Sequence, residues 1–301
     1  MAGLEPEPGE RTRTQLGRIG IWSRELRFHA DRGQAVDAAA ELEELGYDAL
    51  FIPDVGGDVL GAVEELLAAT RTIALATGIL NIWMHDAGEV SEGVAAIERR
   101  HGERFLLGLG ASHAAVVDAE GPARYGRPLS TMRAYLDALD AQAQPVPERR
   151  RILAALGPRM LELARERSAG AHPYLVPPEH TQFAREILGE GRLLAPELSV
   201  LLESDADRAL ERARAFVADY LRLPNYTRNL RRLGFDDSDL AGAGSDRLVR
   251  SLVAFGDEQT IADRVAAHHA AGADHVALHV IGAGETLPRE DWRRLAQALL
   301  R

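Results

Sequence analysis

Asp54, His85, His113 and His172 are of types that exchange protons or bind metals, and each lies in or just after a short apolar run. A divalent-metal barrel would gather two or more such groups at strand ends, but no HxH or ExxH spacing joins these four. Ser112 precedes His113, yet no GxSxG elbow surrounds the serine, so a hydrolytic triad is not indicated. The turn Gly157-Pro158-Arg159 points to another use. Glycine permits close backbone approach, proline suits the first helical position, and a helix N-terminus beside an arginine suits a phosphate. His268 and His269 are adjacent in a helical stretch and point about 100° apart, which does not suit a shared ligand. With His275 and His279 they read as structural or surface residues. Arg228, Arg231 and Arg232 read as a solvated basic face.

Composition removes whole classes of chemistry. The 301 residues include no Cys, which excludes disulfides, thiolate catalysis, zinc-thiolate sites and iron-sulfur clusters. Every Lys-or-Arg position is Arg, so Schiff-base chemistry and Walker-type phosphate loops lack their amine. A net charge of -11 without a basic run argues against nucleic acid or an anionic membrane as partner and favours a small molecule. Residues 1–13 are polar, without the apolar stretch of a secretory signal, and no run approaches a membrane span. The sequence therefore reads as a cytoplasmic chain with a flexible tail over 1–15 and one domain over 16–301.

These residues need a frame, and hydrophobic periodicity supplies one. Short β-rich runs at 16–23, 49–54, 72–82, 105–112, 151–156, 171–176, 198–203 and 275–281 alternate with amphipathic helical patterns. Eight such units predict an α/β fold, a (β/α)8 TIM barrel, with an open doubly wound sheet as the structural alternative. The dinucleotide version of that alternative lacks its GxGxxG loop. Gly46, Gly189 and Gly272 stand where helix C-termini need positive φ, and Asp205 and Asp257 where N-caps belong. Residues 223–255 break the alternation and are predicted to be an insertion near the C-terminal mouth, serving as a lid or as a packing appendage. A barrel places its site at the C-terminal ends of its strands, where Trp22, Ser23, Pro53, Asp54, Asn81, Trp83, His85, Ser112 and His113 stand.

Four stretches in order resemble the luciferase-like monooxygenase superfamily: 76–83 (ATGILNIW), 104–110 (RFLLGLG), 156–164 (LGPRMLELA), and the closing Gly256-Asp257-Glu258 followed by 270–276 (AAGADHV). The resemblance covers nearly the whole chain after Leu16. It is nearest to an actinobacterial branch that uses coenzyme F420, a deazaflavin, in which 223–226 and 229–235 also recur.

The resemblance implies an oxidoreductase that passes a hydride between deazaflavin C5 and a small organic substrate. It implies a non-prolyl cis peptide after strand three, here Gly78-Ile79. Trp22, Ser23, Asp54, Asn81 and Ser112 would line the cofactor ring, while Gly157, Pro158 and Arg159, with Thr181, would hold its phosphate. Relatives place His after the strand-two Asp and Glu after the strand-four glycines as proton donors. Here those positions read Val55 and Ala111, which leaves Asp54 and His113 as candidate catalytic residues and 112–125 as the segment shaping the substrate pocket. An FMN-dependent monooxygenase of the same fold is the first alternative, and a flavin- or deazaflavin-binding barrel without turnover the second. No metal is expected, and a homodimer is compatible with the acidic surface.

Overall fold

The computed structural model describes residues 16–118, 124–282, 284 and 286–300. The tail expected over 1–15, and 119–123 of the expected pocket segment, lie outside the described residues. The strands are β1 (Ile19–Trp22), β2 (Ala49–Ile52), β3 (Ala74–Thr77), β4 (Leu80–Asn81), β5 (Phe105–Gly110), β6 (Arg151–Leu153), β7 (Gly170–Ala171), β8 (Leu193–Leu194), β9 (Glu197–Leu202), β10 (Val253–Gly256) and β11 (Val276–Val280). All pairings are parallel, in the order β10-β9-β11-β1-β2-β3-β5-β6-β7-β8, with β4 beside β5. The sheet curls so that its flanks meet at residues 193–202. There the Ala195 N–H donates to Ala171 O, while the Asp274 and His275 N–H groups donate to Leu194 O.

Strand alternation divides the buried side chains into two layers. Ile19, Ile21, Leu50, Ile52, Leu75, Leu107, Leu109, Leu198, Val276 and Leu278 pack outward against the helices. The opposite set, Trp22, Ala49, Phe51, Ala74, Ala76, Leu106, Ile152, Leu193, Ala195 and Ala277, forms a separate cluster. Its many alanines leave room inside a tightly curled sheet.

The helix ends follow the sequence signals. Asp205 accepts from the N–H groups of Asp207 and Arg208, and Asp257 from that of Thr260. Gly46, Gly189 and Gly272 have φ of 94°, 75° and 100°. The segment 223–255 departs from its expected form in one respect. It forms helices Pro224–Arg232, Asp237–Leu240 and Asp246–Leu252, and then ends by entering β10, which pairs with β9. Its i,i+4 residues Tyr226 and Leu230, together with Phe235, Leu248 and Leu252, pack on Ala209, Ala213 and Val217 of helix Ala206–Leu221 as a second apolar core. Burial of that face, which the broken alternation hid, makes the segment a packed subunit of the fold.

One irregularity positions the mouth. β3 pairs with β5 up to Ala76↔Leu106, and β4 resumes at Leu80↔Leu109, so Thr77, Gly78 and Ile79 face only Leu107 and Gly108. This is a β-bulge, and it re-aims the chain. The Gly78-Ile79 peptide within it is cis, at the bond the family resemblance implied. Thr77 replaces the missing ladder bonds: its hydroxyl donates to Gly108 O and accepts from Gly108 N–H, both at 2.8 Å. A Cβ at Gly108 would lie 1.9 Å from Thr77 O, which is backbone and cannot swing aside. Gly108→Ala is therefore expected to lower the unfolding free energy by about 3 kcal/mol, read by chemical denaturation. Gly126→Ala, where a Cβ meets nothing within 4 Å, should stay within about 0.5 kcal/mol of the wild type.

Candidate active site

Asp54 lies at the centre of the loops after β1, β2 and β4, its carboxylate without exposed side-chain surface. One oxygen accepts from Arg27 at 3.3 Å and the Gly56 N–H at 3.1 Å; the other accepts from the Asn81 N–H at 3.0 Å and contacts His85 Nε2 at 2.8 Å. Burial alone would raise its pKa. The His85 bond and the backbone donors of Asn81 and Gly56 outweigh burial and hold the carboxyl below its ordinary range. Arg27 also donates to Pro53 O at 2.6 Å, which binds the strand-one loop to the strand-two loop.

Beside this anchor, Trp22 donates from Nε1 to Gly78 O at 2.7 Å, tying β1 to the bulge. Asn81 is fully buried; its Oδ1 accepts from the Trp83 N–H, and its Nδ2 is enclosed without a partner among the described residues. Ser112, two residues beyond β5, has φ of 51°, and its carbonyl takes a long contact of 3.4 Å from Tyr125 Oη. His113 meets Tyr226 of helix Pro224–Arg232 with tilted rings, centroids 5.6 Å apart, so the segment 223–255 reaches the loop after β5. Burial pushes the His113 imidazole down, only partly offset by a bond with Asn225, and its Nδ1 is enclosed without a partner among the described residues. The ring is thus neutral at pH 7.

At the predicted phosphate turn, Gly157 is the N-cap and Pro158 the first residue of helix Pro158–Arg167, with no side-chain cap; the Met160 and Leu161 N–H groups donate to Gly157 O, which leaves the Arg159 N–H without a partner among the described residues. Arg159 is exposed and has no ion pair among the described residues. A Cβ at Gly157 would meet only Arg232 Nη2, at 3.9 Å, so the turn opens beside a second guanidinium. The sequence reading had left Arg232 on a solvated face, although its place on the insertion makes it a neighbour of this turn.

Two expected site residues turn elsewhere. Thr181 is fully buried, and its hydroxyl bonds His268 Nδ1 at 2.8 Å across the contact between two helices. Ser23 is 1% exposed; it donates to Glu25 at 2.8 Å and accepts from the Leu26 N–H, so its hydroxyl is engaged with the short helix Glu25–Phe28 that follows. Both assignments came from the family resemblance, which does not say which way a hydroxyl turns in this chain.

The sequence reading missed a polar group inside the sheet. Tyr174 Oη lies 3.1 Å from His279 Nδ1 and 3.0 Å from Tyr220 Oη, and His279 Nδ1 lies 3.4 Å from Glu197 Oε1. Glu197, fully buried, accepts from Ser199 Oγ at 2.6 Å and the Leu175 N–H at 2.8 Å. Burial, reinforced by neighbours including Glu197, pushes the Tyr174 and Tyr226 hydroxyls well above the tyrosine range, so both stay protonated. Deeper in the sheet, His172 and His275 flank Phe51 and bond the carbonyls of Ala195 and Gly17, which fits the structural reading of His275.

The chain was compared with known proteins. A family model described as luciferase-like monooxygenase matches residues 15–275. A 5,10-methylenetetrahydromethanopterin reductase from Methanolobus tindarius is 28% identical over 153 residues, a match taking in 42% of this chain and 46% of that protein. The chain therefore aligns with less than half the length of this curated relative. The coenzyme F420 dependent tetrahydromethanopterin reductase from Methanopyrus kandleri has a similar fold, with a TM-score of 0.74 and 18% identity over 94% of this chain and 98% of that one. So does the oxygenating constituent of 3,6-diketocamphane monooxygenase from Pseudomonas putida in complex with FMN, with a TM-score of 0.67 and 13% identity over 93% and 96%. No helix among the described residues is long and apolar enough to cross a membrane.

The Asp54 cluster yields a stability prediction with a definite sign. Because its folded pKa is depressed, Asp54 stabilises the fold fully above its unfolded value of about 3.9, and the contribution is lost as pH falls through the folded value. Asp54→Asn leaves the buried Arg27 uncompensated and should cost about 3 kcal/mol at pH 7. The gap between variant and wild type should narrow below pH 4 in urea titrations; a constant gap from pH 7 to pH 2.5 would refute the assignment.

Proposed function

The chain belongs to the luciferase-like monooxygenase family, and from that membership we propose an F420-dependent oxidoreductase that works at the C-terminal mouth of a (β/α)8 barrel. The observation that carries this reading is the enclosed, unpartnered Asn81 Nδ2 beside the Gly78-Ile79 bulge. A buried amide donor without an acceptor costs free energy, and a planar ring bearing carbonyl or ring-nitrogen acceptors would satisfy it. The uncapped helix N-terminus at Gly157, with the Arg159 N–H and the Arg159 and Arg232 guanidinium groups beside it, fits an anionic tail. When bound, the deazaflavin supplies hydride transfer at C5.

The residues have separate tasks in this reading. Trp22 and Asn81 border the ring, Ser112 lies just beyond β5, and Gly157, Pro158 and Arg159 hold the phosphate. Asp54, already accepting from several donors and held ionised, keeps the loops in register and has no proton to give at neutral pH. His113, neutral and with a free Nδ1, accepts or relays a proton. Residues 223–255 cover the mouth with Asn225 and Tyr226 and exclude water from a small organic substrate. The dependence of the Methanopyrus kandleri enzyme on F420 supports the choice of cofactor. The FMN bound to the Pseudomonas putida protein of similar fold supports a flavin monooxygenase as the second reading.

Fluorescence titration of the cofactor-free protein with F420 and with FMN tests the choice. F420 is expected to bind at micromolar or lower concentration and FMN at least tenfold more weakly. Arg159→Ala should weaken F420 about tenfold, close to 1.4 kcal/mol for one charge-assisted contact. Preference for FMN would replace the deazaflavin with the monooxygenase reading, and binding of neither would overturn both.

A further inference from the structure

The mouth holds one ring that is oriented from behind and free in front. His279 is the next-to-last residue of β11 and faces inward, in register with Ser199 of β9. Trp22 from β1 packs on it with ring centroids 4.3 Å apart, and Phe216 from helix Ala206–Leu221 meets it edge-on at 5.6 Å. The polar groups facing it are Tyr174 beyond β7, Tyr220 on that same helix, and Glu197 and Ser199 on β9. Every polar contact of the imidazole falls on Nδ1. Nε2 has no partner among the described residues, yet it is not one of the enclosed unpartnered nitrogens, unlike Nε2 of His172 and of His275. The side chain keeps 10% of its surface exposed, and that exposure includes the Nε2 edge.

We propose that His279 is a proton-exchanging residue of this site, with Nε2 facing the bound substrate and with Glu197 and Tyr174 as its positioning residues. A carboxylate 3.4 Å from Nδ1 favours the proton on that nitrogen. Nδ1–H then donates to Tyr174 Oη, which donates on to Tyr220 Oη, and the Nε2 lone pair is left toward the mouth. Glu197 is held for this task by bonds from Ser199 Oγ and the Leu175 N–H. Packing against Trp22 fixes the ring plane, and Trp22 is itself tied to the bulge through Gly78 O. Neither Val55 nor Ala111 can exchange a proton, so the strand-eight side of the barrel supplies what those positions do not.

The proposal rests on the oxidoreductase reading above and narrows its substrate class to compounds whose reacting carbon bears a hydroxyl or amine. On oxidation, the substrate C–H electron pair leaves as hydride for the oxidised deazaflavin or flavin. The O–H or N–H bond breaks, and its proton forms the Nε2–H bond of His279. Reduction reverses both transfers. Nδ1–H stays in place throughout.

Nitrogen-15 NMR of the imidazoles in cofactor-free protein tests the arrangement, with His279→Gln identifying the signal. The Nδ1–H tautomer is expected in the wild type, and a mixture in Glu197→Gln. Tyr174→Phe serves the same comparison if the buried Glu197 variant does not fold. Diethyl pyrocarbonate followed by peptide mass spectrometry should modify His279 at Nε2 while sparing the buried His172 and His275, and a saturating cofactor should slow that modification at least fivefold. An Nε2–H tautomer, a tautomer unmoved by both variants, or a His279 as unreactive as His172 would overturn the proposal. Because tautomer and reactivity are read without cofactor, they answer for His279 even if neither F420 nor FMN binds, which would sink the oxidoreductase reading alone.

Discussion

The mouth of this fold depends on the anion of Asp54. A parallel sheet fixes its strands by ladder bonds, but the loops beyond the strand ends have no ladder, and here one enclosed carboxylate takes its place. Arg27 comes from the loop after β1, Gly56 from the loop after β2, the Asn81 N–H from β4 and His85 from the turn beyond it. The side chains of Arg27 and Asp54 are 4% and 0% exposed, so each would be a heavy liability without the other. Removing two charges from water is worthwhile only where the geometry of three loops must be exact to a fraction of an ångström, as it must around a reacting centre.

The bulge after β3 depends on that anchor from the other side. Asn81 closes the short strand β4 that follows the bulge; its backbone N–H goes to Asp54, and its side-chain oxygen accepts from the Trp83 N–H. With both ends of the bulge held, by Thr77 on Gly108 and by Asn81 on Asp54, the Gly78 carbonyl is free to receive Trp22. The close approach is steric as well as polar: a Cβ at Gly78 would lie 2.9 Å from the Trp22 ring. Glycine at 78 and 108 and alanine at 74 and 76 are what allow a strand to step sideways inside a packed sheet.

Features set by local backbone chemistry were legible in the sequence. Positive φ at Gly46, Gly189 and Gly272, caps at Asp205 and Asp257, and proline opening helix Pro158–Arg167 each depend on a few adjacent residues. The eight main strand positions were legible from periodicity, and Gly78-Ile79 from the family resemblance. Orientation was not. Thr181 stands one turn into its helix, where the phosphate reading placed it, but rotation about the helix axis gives its hydroxyl to His268. Ser23 follows β1 as expected, but its hydroxyl donates to Glu25, two residues later. Within 223–255, β10 was not legible because Val253–Gly256 is short and continues directly from a helix.

The polar interior was legible in principle, by a rule not applied to it. In β9, Leu198 and Val200 alternate with Glu197 and Ser199; in β11, Val276, Leu278 and Val280 alternate with Ala277 and His279. The face of a curled parallel strand that meets the helices must be apolar, so period two alone sends Glu197, Ser199 and His279 to the other, inner face, and the parallel register brings them together. Reading His279 as structural treated it as a lone residue, whereas it belongs to a face. A barrel interior is ordinarily packed with branched apolar side chains. A buried carboxylate beside an imidazole near the mouth end costs stability that apolar replacements would not. Such a pair persists most readily where its orientation has a use, and an imidazole with one nitrogen held and the other open is oriented for exchange with a ligand.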